Sequence, residues 1–132
     1  MSLKVFLVED SAVIRHRLDR MLAGIPGLEV AGTAPRLEGL LETLAAVQPD
    51  VVLLDVRLPD GLGLDVVTAI RQLEIAPHIF IVTSHGEPPY RMRAEALQVD
   101  GFFDKADELE ALCHALGDLA ASQGVCGGSG SV

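Results

Sequence analysis

Cysteine, positive charge and long apolar runs are all scarce in this chain of 132 residues. Cys113 and Cys126 form no CxxC pair and no disulfide framework, which excludes a stapled secreted scaffold and points to a reducing compartment. Lys and Arg number 10 against 19 Asp and Glu, a net charge of -9. Phosphate binding needs clustered basic side chains, so direct gripping of nucleic acid or of an anionic membrane is not expected, and the partners should be proteins and small ions. No apolar stretch is long enough to span a bilayer, and Met1-Ser2-Leu3-Lys4 enters a strand pattern without the apolar region of a signal peptide. The expected location is the cytoplasm. There is no internal repeat, and a chain of this length with 49% hydrophobic residues buries one core, not two.

What is present is a set of apolar runs that end in polar groups. Val5 to Val8 leads into Glu9-Asp10, Val51 to Leu54 into Asp55, Ile79 to Val82 into Thr83-Ser84, and Gly101-Phe102-Phe103-Asp104 into Lys105. Wholly apolar runs separated by helical patterns read as buried parallel strands, and ligand sites in such sheets lie beyond the carboxyl ends of the strands. Three carboxylates, a hydroxyl and an ammonium should therefore converge on one crevice.

The helical patterns lie between those runs. Ser11 is placed to cap a first helix with the stripe Ile14, Leu18, Met21, Leu22 and Ile25, stopped by Pro26-Gly27. A strand over Glu29 to Thr33 leads to Pro35, placed for the first turn of a second helix carrying Leu37, Leu40, Leu41 and Leu44. The loop from Val56 to Gly63 contains the turn Pro59-Asp60-Gly61, and Val66, Ile70 and Leu73 mark a third helix. Pro88-Pro89 opens a fourth helix through about Leu97, and Asp107 with Glu110 reads as a capping box before Leu109, Leu112, Leu116 and Leu119. The domain is expected over residues 1–121, with a flexible Gly/Ser-rich tail or linker over 122–132.

Carboxylates crowded at a sheet edge repel, so either one takes a proton or a cation neutralises them. Glu9, Asp10 and Asp55 offer the oxygen ligands that Mg²⁺ prefers, and no His-Cys cluster offers a zinc site. An Asp carboxylate is also a nucleophile toward phosphorus, and Thr83 and Lys105 are the donors available to phosphoryl oxygens. Taken singly, each residue has a blander role: the acid pair complements a helix dipole, Thr83 ends a strand, and Lys105 is a solvated charge. Their coincidence on one sheet edge outweighs those roles. His16, His78 and His114 read as surface or packing residues, Cys113 as a small core residue, and Arg15, Arg17 and Arg20 as a solvated face of the first helix.

The set Glu9-Asp10, Asp55 with Leu58-Pro59-Asp60-Gly61, Thr83-Ser84 and Phe102-Phe103-Asp104-Lys105 resembles the receiver domain of bacterial two-component response regulators over roughly residues 3–121. The resemblance implies an α/β fold, a doubly wound five-stranded parallel sheet with five helices in the flavodoxin-like order 2-1-3-4-5. It implies a signalling switch, not a conventional enzyme, with Asp55 as phosphoacceptor for a histidine kinase or phosphotransfer protein and an unspecified downstream protein or output domain. Mg²⁺ would be held by Asp10 directly, Glu9 through water, Asp55, and the backbone carbonyl of Arg57. Thr83 and Lys105 would contact the phosphoryl oxygens, Thr83 and Phe102 would form the switch, and Arg57 and His85 would flank the phosphoryl group and set its lifetime. Three places depart from the family pattern: Ala106 stands where a Pro joined by a cis bond is common, Gln98 where a helix-ending Gly is common, and Arg57 and His85 occupy variable positions. A pseudo-receiver of the same fold that no longer phosphorylates is the alternative, and the intact acid pair, Asp55, Thr83 and Lys105 weigh against it. A Mg²⁺-dependent hydrolase of the haloacid dehalogenase kind would carry a second Asp where this chain has Arg57.

Overall fold

The apolar runs do form one sheet. The computed structural model describes residues 2–129. Strands β1 (Leu3–Val8), β2 (Leu28–Ala34), β3 (Val51–Leu54), β6 (His78–Thr83) and β7 (Gly101–Asp104) lie in the order β2-β1-β3-β6-β7. Every neighbouring pair in that sheet is parallel. Counted over these strands alone, the order is the expected 2-1-3-4-5, and it reverses direction between β1 and β3, where a crevice opens at the carboxyl ends.

Side chains alternate between the two faces of a strand, and both faces here are covered. Phe6, Val8, Val52, Leu54, Ile79 and Ile81 pack with Leu40, Leu44, Leu64, Val67, Ile70 and Ala94 from α2 (Leu40–Val47), α3 (Val67–Arg71), the 3-10 turn Gly63–Val66 before it, and α4 (Pro88–Ala96). Val5, Leu7, Leu53, Phe80 and Val82 face the other way, onto Leu18 and Leu22 of α1 (Ala12–Ala23) and Leu109, Leu112, Leu116 and Ala120 of α5 (Leu109–Ser129). The expected cap is present: the Ser11 hydroxyl accepts the Ile14 N–H at 3.3 Å.

Several local expectations are corrected. Pro35 does not open a helix. α2 begins at Leu40, after Gly39 in the left-handed region at φ 73. The Leu37 and Glu38 N–H groups both donate to the Asp60 carboxylate at 2.9 Å, so this segment has partners that do not require a helical turn. The Pro59-Asp60 turn closes a small antiparallel hairpin of β4 (Arg57–Leu58) and β5 (Gly61–Leu62) that period-2 patterning is too short to reveal. Asp107 and Glu110 do not form the capping box. The Asp104 N–H donates instead to Glu108 Oε1 at 2.8 Å, and the Ala106 N–H to Asp104 Oδ1 at 2.7 Å. α5 is helical to Ser129, and the division into a domain over 1–121 and a tail or linker over 122–132 stays an expectation. Residues 130–132 of that tail lie outside the described residues.

Candidate functional site

Strand register brings the polar endings together. Val8 pairs with Leu54, and Leu54 with Ile81, so Glu9 and Asp55 emerge side by side next to Thr83. Thr83 pairs with Asp104, and the Lys105 N–H donates to the Thr83 carbonyl at 3.0 Å, which delivers the lysine to the same edge. All four are buried: Glu9 is 3% exposed, Asp55 4%, Thr83 0% and Lys105 8%. Asp10 alone of the acids is exposed.

The crowded carboxylates are met by the protein's own cation. Lys105 Nζ lies 2.5 Å from Glu9 Oε1 and donates to Asp55 Oδ2 at 2.7 Å. Glu9 Oε2 accepts the Ser11 N–H at 2.9 Å, so both of its oxygens are engaged. Asp55 Oδ1 is buried and has no hydrogen-bond partner, the one such side-chain atom among the described residues. Burial raises the Glu9 carboxyl above its ordinary range, and the hydrogen bond from Lys105 offsets only part of that shift. Burial pushes the Lys105 ammonium down, but its bonds to Asp55 and Glu9 outweigh burial and hold it above the ordinary lysine value. Lys105 is therefore charged at neutral pH.

One carboxylate oxygen from each of Glu9, Asp10 and Asp55 lies within 4.8 Å of the others. An all-oxygen set with an unsatisfied buried oxygen suits a hard divalent cation, so the residues present fit Mg²⁺. They line a cavity of about 670 Å³ whose wall also includes Arg17, Arg57, Ser84, His85 and Ala106. The Thr83 hydroxyl accepts the His85 N–H at 3.0 Å, which leaves its own proton to donate. Phe102 is half-buried, with the Arg91 guanidinium 4.4 Å from its ring centre. Arg57 is exposed, and its Nε donates to the Tyr90 hydroxyl at 3.2 Å. No peptide bond among the described residues is cis, so Lys105 is aimed across a trans bond to Ala106. Gln98 takes the left-handed conformation itself, at φ 56.

Four supporting residues carried no sequence signal of a role. Gly63 donates its N–H to the Val56 carbonyl at 2.7 Å, and a Cβ there would collide with the Asp55 carbonyl oxygen. Arg15 is not simply solvated, since its Nη1 donates to the Glu9 carbonyl at 2.9 Å. Tyr90 and Arg91 sit on a helix whose sequence shows no apolar stripe, and their contacts are to residues far along the chain.

The sequence model of the response regulator receiver domain matches residues 5–117. The chain belongs to this family. Among curated relatives, the receiver is similar to the response regulator GacA of Pseudomonas aeruginosa, 32% identical over 121 residues that cover 92% of this chain and 56% of that protein. It is also similar to the DNA-binding transcriptional activator DevR/DosR of Mycobacterium tuberculosis, 32% identical over 120 residues that cover 91% of this chain and 55% of that one. The chain thus spans little more than half the length of these relatives. Of solved structures, the REC domain of AraT, a response regulator from Geobacillus stearothermophilus, superposes with a TM-score of 0.77 at 25% identity, covering 93% of this chain and 98% of that one. The response regulator domain of Thermotoga maritima CheB shares the fold, with a TM-score of 0.77 at 19% identity over 92% of this chain and 96% of that one. Receivers are signalling domains. Among the described residues, no helix is long and apolar enough to cross a membrane.

Proposed function

We propose that this receiver is a cytoplasmic, phosphorylation-dependent switch that accepts a phosphoryl group on Asp55 from a histidine kinase or phosphotransfer protein. The observation that carries this reading is the Asp55 carboxylate itself: one oxygen is neutralised by Lys105, the other is buried and unpartnered, and the residue lines a cavity. A carboxylate so placed is a nucleophile with its charge partly balanced and one oxygen available for bond formation. Asp10 and Asp55, with the Arg57 backbone carbonyl, would hold Mg²⁺, and Glu9, its oxygens already engaged, would reach the ion through water. When bound, the ion neutralises the acid cluster and withdraws charge from phosphoryl oxygens.

The remaining chemistry belongs to the chain. As the phosphorus–nitrogen bond of the donor's phosphohistidine breaks and the Asp55 carboxylate becomes an acyl phosphate, Lys105, held between Glu9 and Asp55, shifts its ammonium onto a phosphoryl oxygen. Thr83 donates its hydroxyl proton to another oxygen, and Phe102 follows into the space that Thr83 leaves. Arg57 and His85, in the wall of the cavity, control access of water and hence the lifetime of the phosphorylated state. The output is a changed partner-binding surface for a downstream protein or domain.

The test is labelling with acetyl phosphate and Mg²⁺, read by intact mass. One base-labile phosphoryl group is expected on the wild type and none on Asp55→Ala. Equal labelling of the variant would move the acceptor elsewhere, and an unlabelled wild type under every donor would refute phosphorylation.

A further inference from the structure

Arg57 is exposed, yet its side chain has a partner. Its Nε donates to the Tyr90 hydroxyl at 3.2 Å, and its guanidinium carbon stands 5.9 Å from the centre of the Tyr90 ring. Tyr90 lies in the first turn of α4, and the next residue, Arg91, covers the Phe102 ring at 4.4 Å. Further along the helix, Arg93 pairs with Asp65 at 2.5 Å, and Arg71 donates to the Leu97 and Gln98 carbonyls. α4 fully buries only Ala94 and half-buries the Tyr90 ring against the core, so polar ties at its start, middle and end share the holding. The tie at its start is the one that begins two residues from Asp55.

We propose that Tyr90 is a positioning residue for Arg57: it holds the guanidinium at the cavity mouth in the unphosphorylated chain and yields it to the phosphoryl group on Asp55, releasing the first turn of α4. This rests on the reading of Asp55 as phosphoacceptor. A neutral phenol oxygen is the weaker partner. A phosphoryl group offers several charged oxygens, and a guanidinium grips them best as a fork of parallel N–H donors. A fork made with Nε requires Tyr90 to give that nitrogen up. The ties from Arg93 and Arg71 are untouched, so the movement is confined to the first turn, which carries Arg91 and with it the cover over Phe102. The acceptor thus reaches the aromatic on β7 by a path that does not pass through Thr83.

The chain supplies its own reporter, because Tyr90 is the single tyrosine and there is no tryptophan. With a Mg²⁺-only sample as baseline, tyrosine emission of the wild type should change in step with the phosphoryl label followed by intact mass. In Arg57→Ala the emission should start at a released-phenol level and stay there as label accumulates. Tyr90→Phe should shift the rate of label loss about two- to tenfold, the range expected for one hydrogen bond. That shift should run opposite to that of Arg57→Ala, and the double variant should match Arg57→Ala. Full labelling with unaltered emission, an unchanged rate in Tyr90→Phe, or a shift in the same direction as Arg57→Ala would overturn the latch while leaving phosphorylation intact. A wild type that takes no label would remove the acceptor reading and the latch with it.

Discussion

α4 and α5 flank the same sheet on opposite faces, and they are held there by different forces. α5 buries Leu109, Leu112, Leu116 and Ala120 against strand side chains. α4 fully buries only Ala94, half-buries the Tyr90 ring against the opposite face's core, and is fastened besides by Arg57 to Tyr90, Arg93 to Asp65 and Arg71 to two backbone carbonyls. Apolar burial is non-directional and scales with area, so it resists displacement as a whole, whereas exposed polar ties are individually weak and can be exchanged one at a time. A segment with few buried apolar contacts opens at lower free energy than the core. Of the two helices, α4 is thus the one that is displaced at the lower cost.

The contrast breaks first if apolar truncations cost the same on both helices. Leu116→Ala should lose about 2–5 kcal/mol, as a cavity in a packed core does. Met92→Ala on α4, where the side chain is 67% exposed, should stay within about 0.5 kcal/mol of wild type. Denaturant unfolding measures both, and comparable losses would abolish the distinction.

Loading the site sharpens it. Mg²⁺ that binds only the folded chain should raise the melting temperature by mass action, worth about 2.7 kcal/mol at a hundredfold excess over the dissociation constant. Asp55→Asn removes a charge from the cluster, so it should stabilise the metal-free chain and blunt that rise. A melting temperature indifferent to millimolar Mg²⁺ would separate the acid cluster from any cation.

A smaller effect tests the ties themselves. Arg93→Ala should cost about 0.2–1 kcal/mol, the worth of an exposed ion pair. The deficit should shrink toward 1 M salt, where the Debye length falls to about 3 Å. Amide exchange should quicken along α4 and stay unchanged in α5; uniform quickening would mean that both helices share one cooperative unit.

The smallest expected effect sets two acids against each other. Burial holds Glu9 above its ordinary 4.5 despite Lys105, so its favourable contribution is complete below that value and is lost as pH rises through the raised one. Relative to wild type, metal-free Glu9→Gln should gain stability as pH rises. The Leu37 N–H holds Asp60 below its ordinary 3.8, with desolvation opposing and the Glu38 N–H assisting. Its contribution is complete above 3.8 and is lost as pH falls, so the deficit of Asp60→Asn should close in acid. Urea midpoints across the acidic range that slope the same way for both variants would contradict these assignments.

The sheet and its polar edge were legible because periodicity is a local property. Val5 to Val8 and Val51 to Leu54 announce strands buried on both faces, and whatever follows each must meet at one rim. Ser11 was legible as a cap for the same reason. Interactions between distant segments were not. Lys105 and Asp55 are separated by 50 positions, and Arg57 and Tyr90 by 33, so their bonds depend on loop geometry that no window of residues encodes. Pro35 misled because its preference for a first helical turn is a weak prior, and the Asp60 carboxylate already serves the neighbouring N–H groups.

The closeness of Gly63 to the Asp55 backbone limits how this domain can be altered. Arg57 is exposed and can be exchanged without disturbing the packed interior. At position 63 any side chain meets the Asp55 carbonyl oxygen and the Leu54 side chain, and the backbone N–H is already committed to Val56. Even alanine there must push the backbone that carries Asp55. Retuning by mutation therefore has an adjustable screw at position 57 and a welded joint at position 63, and a library that randomises both will recover survivors that vary only at the first.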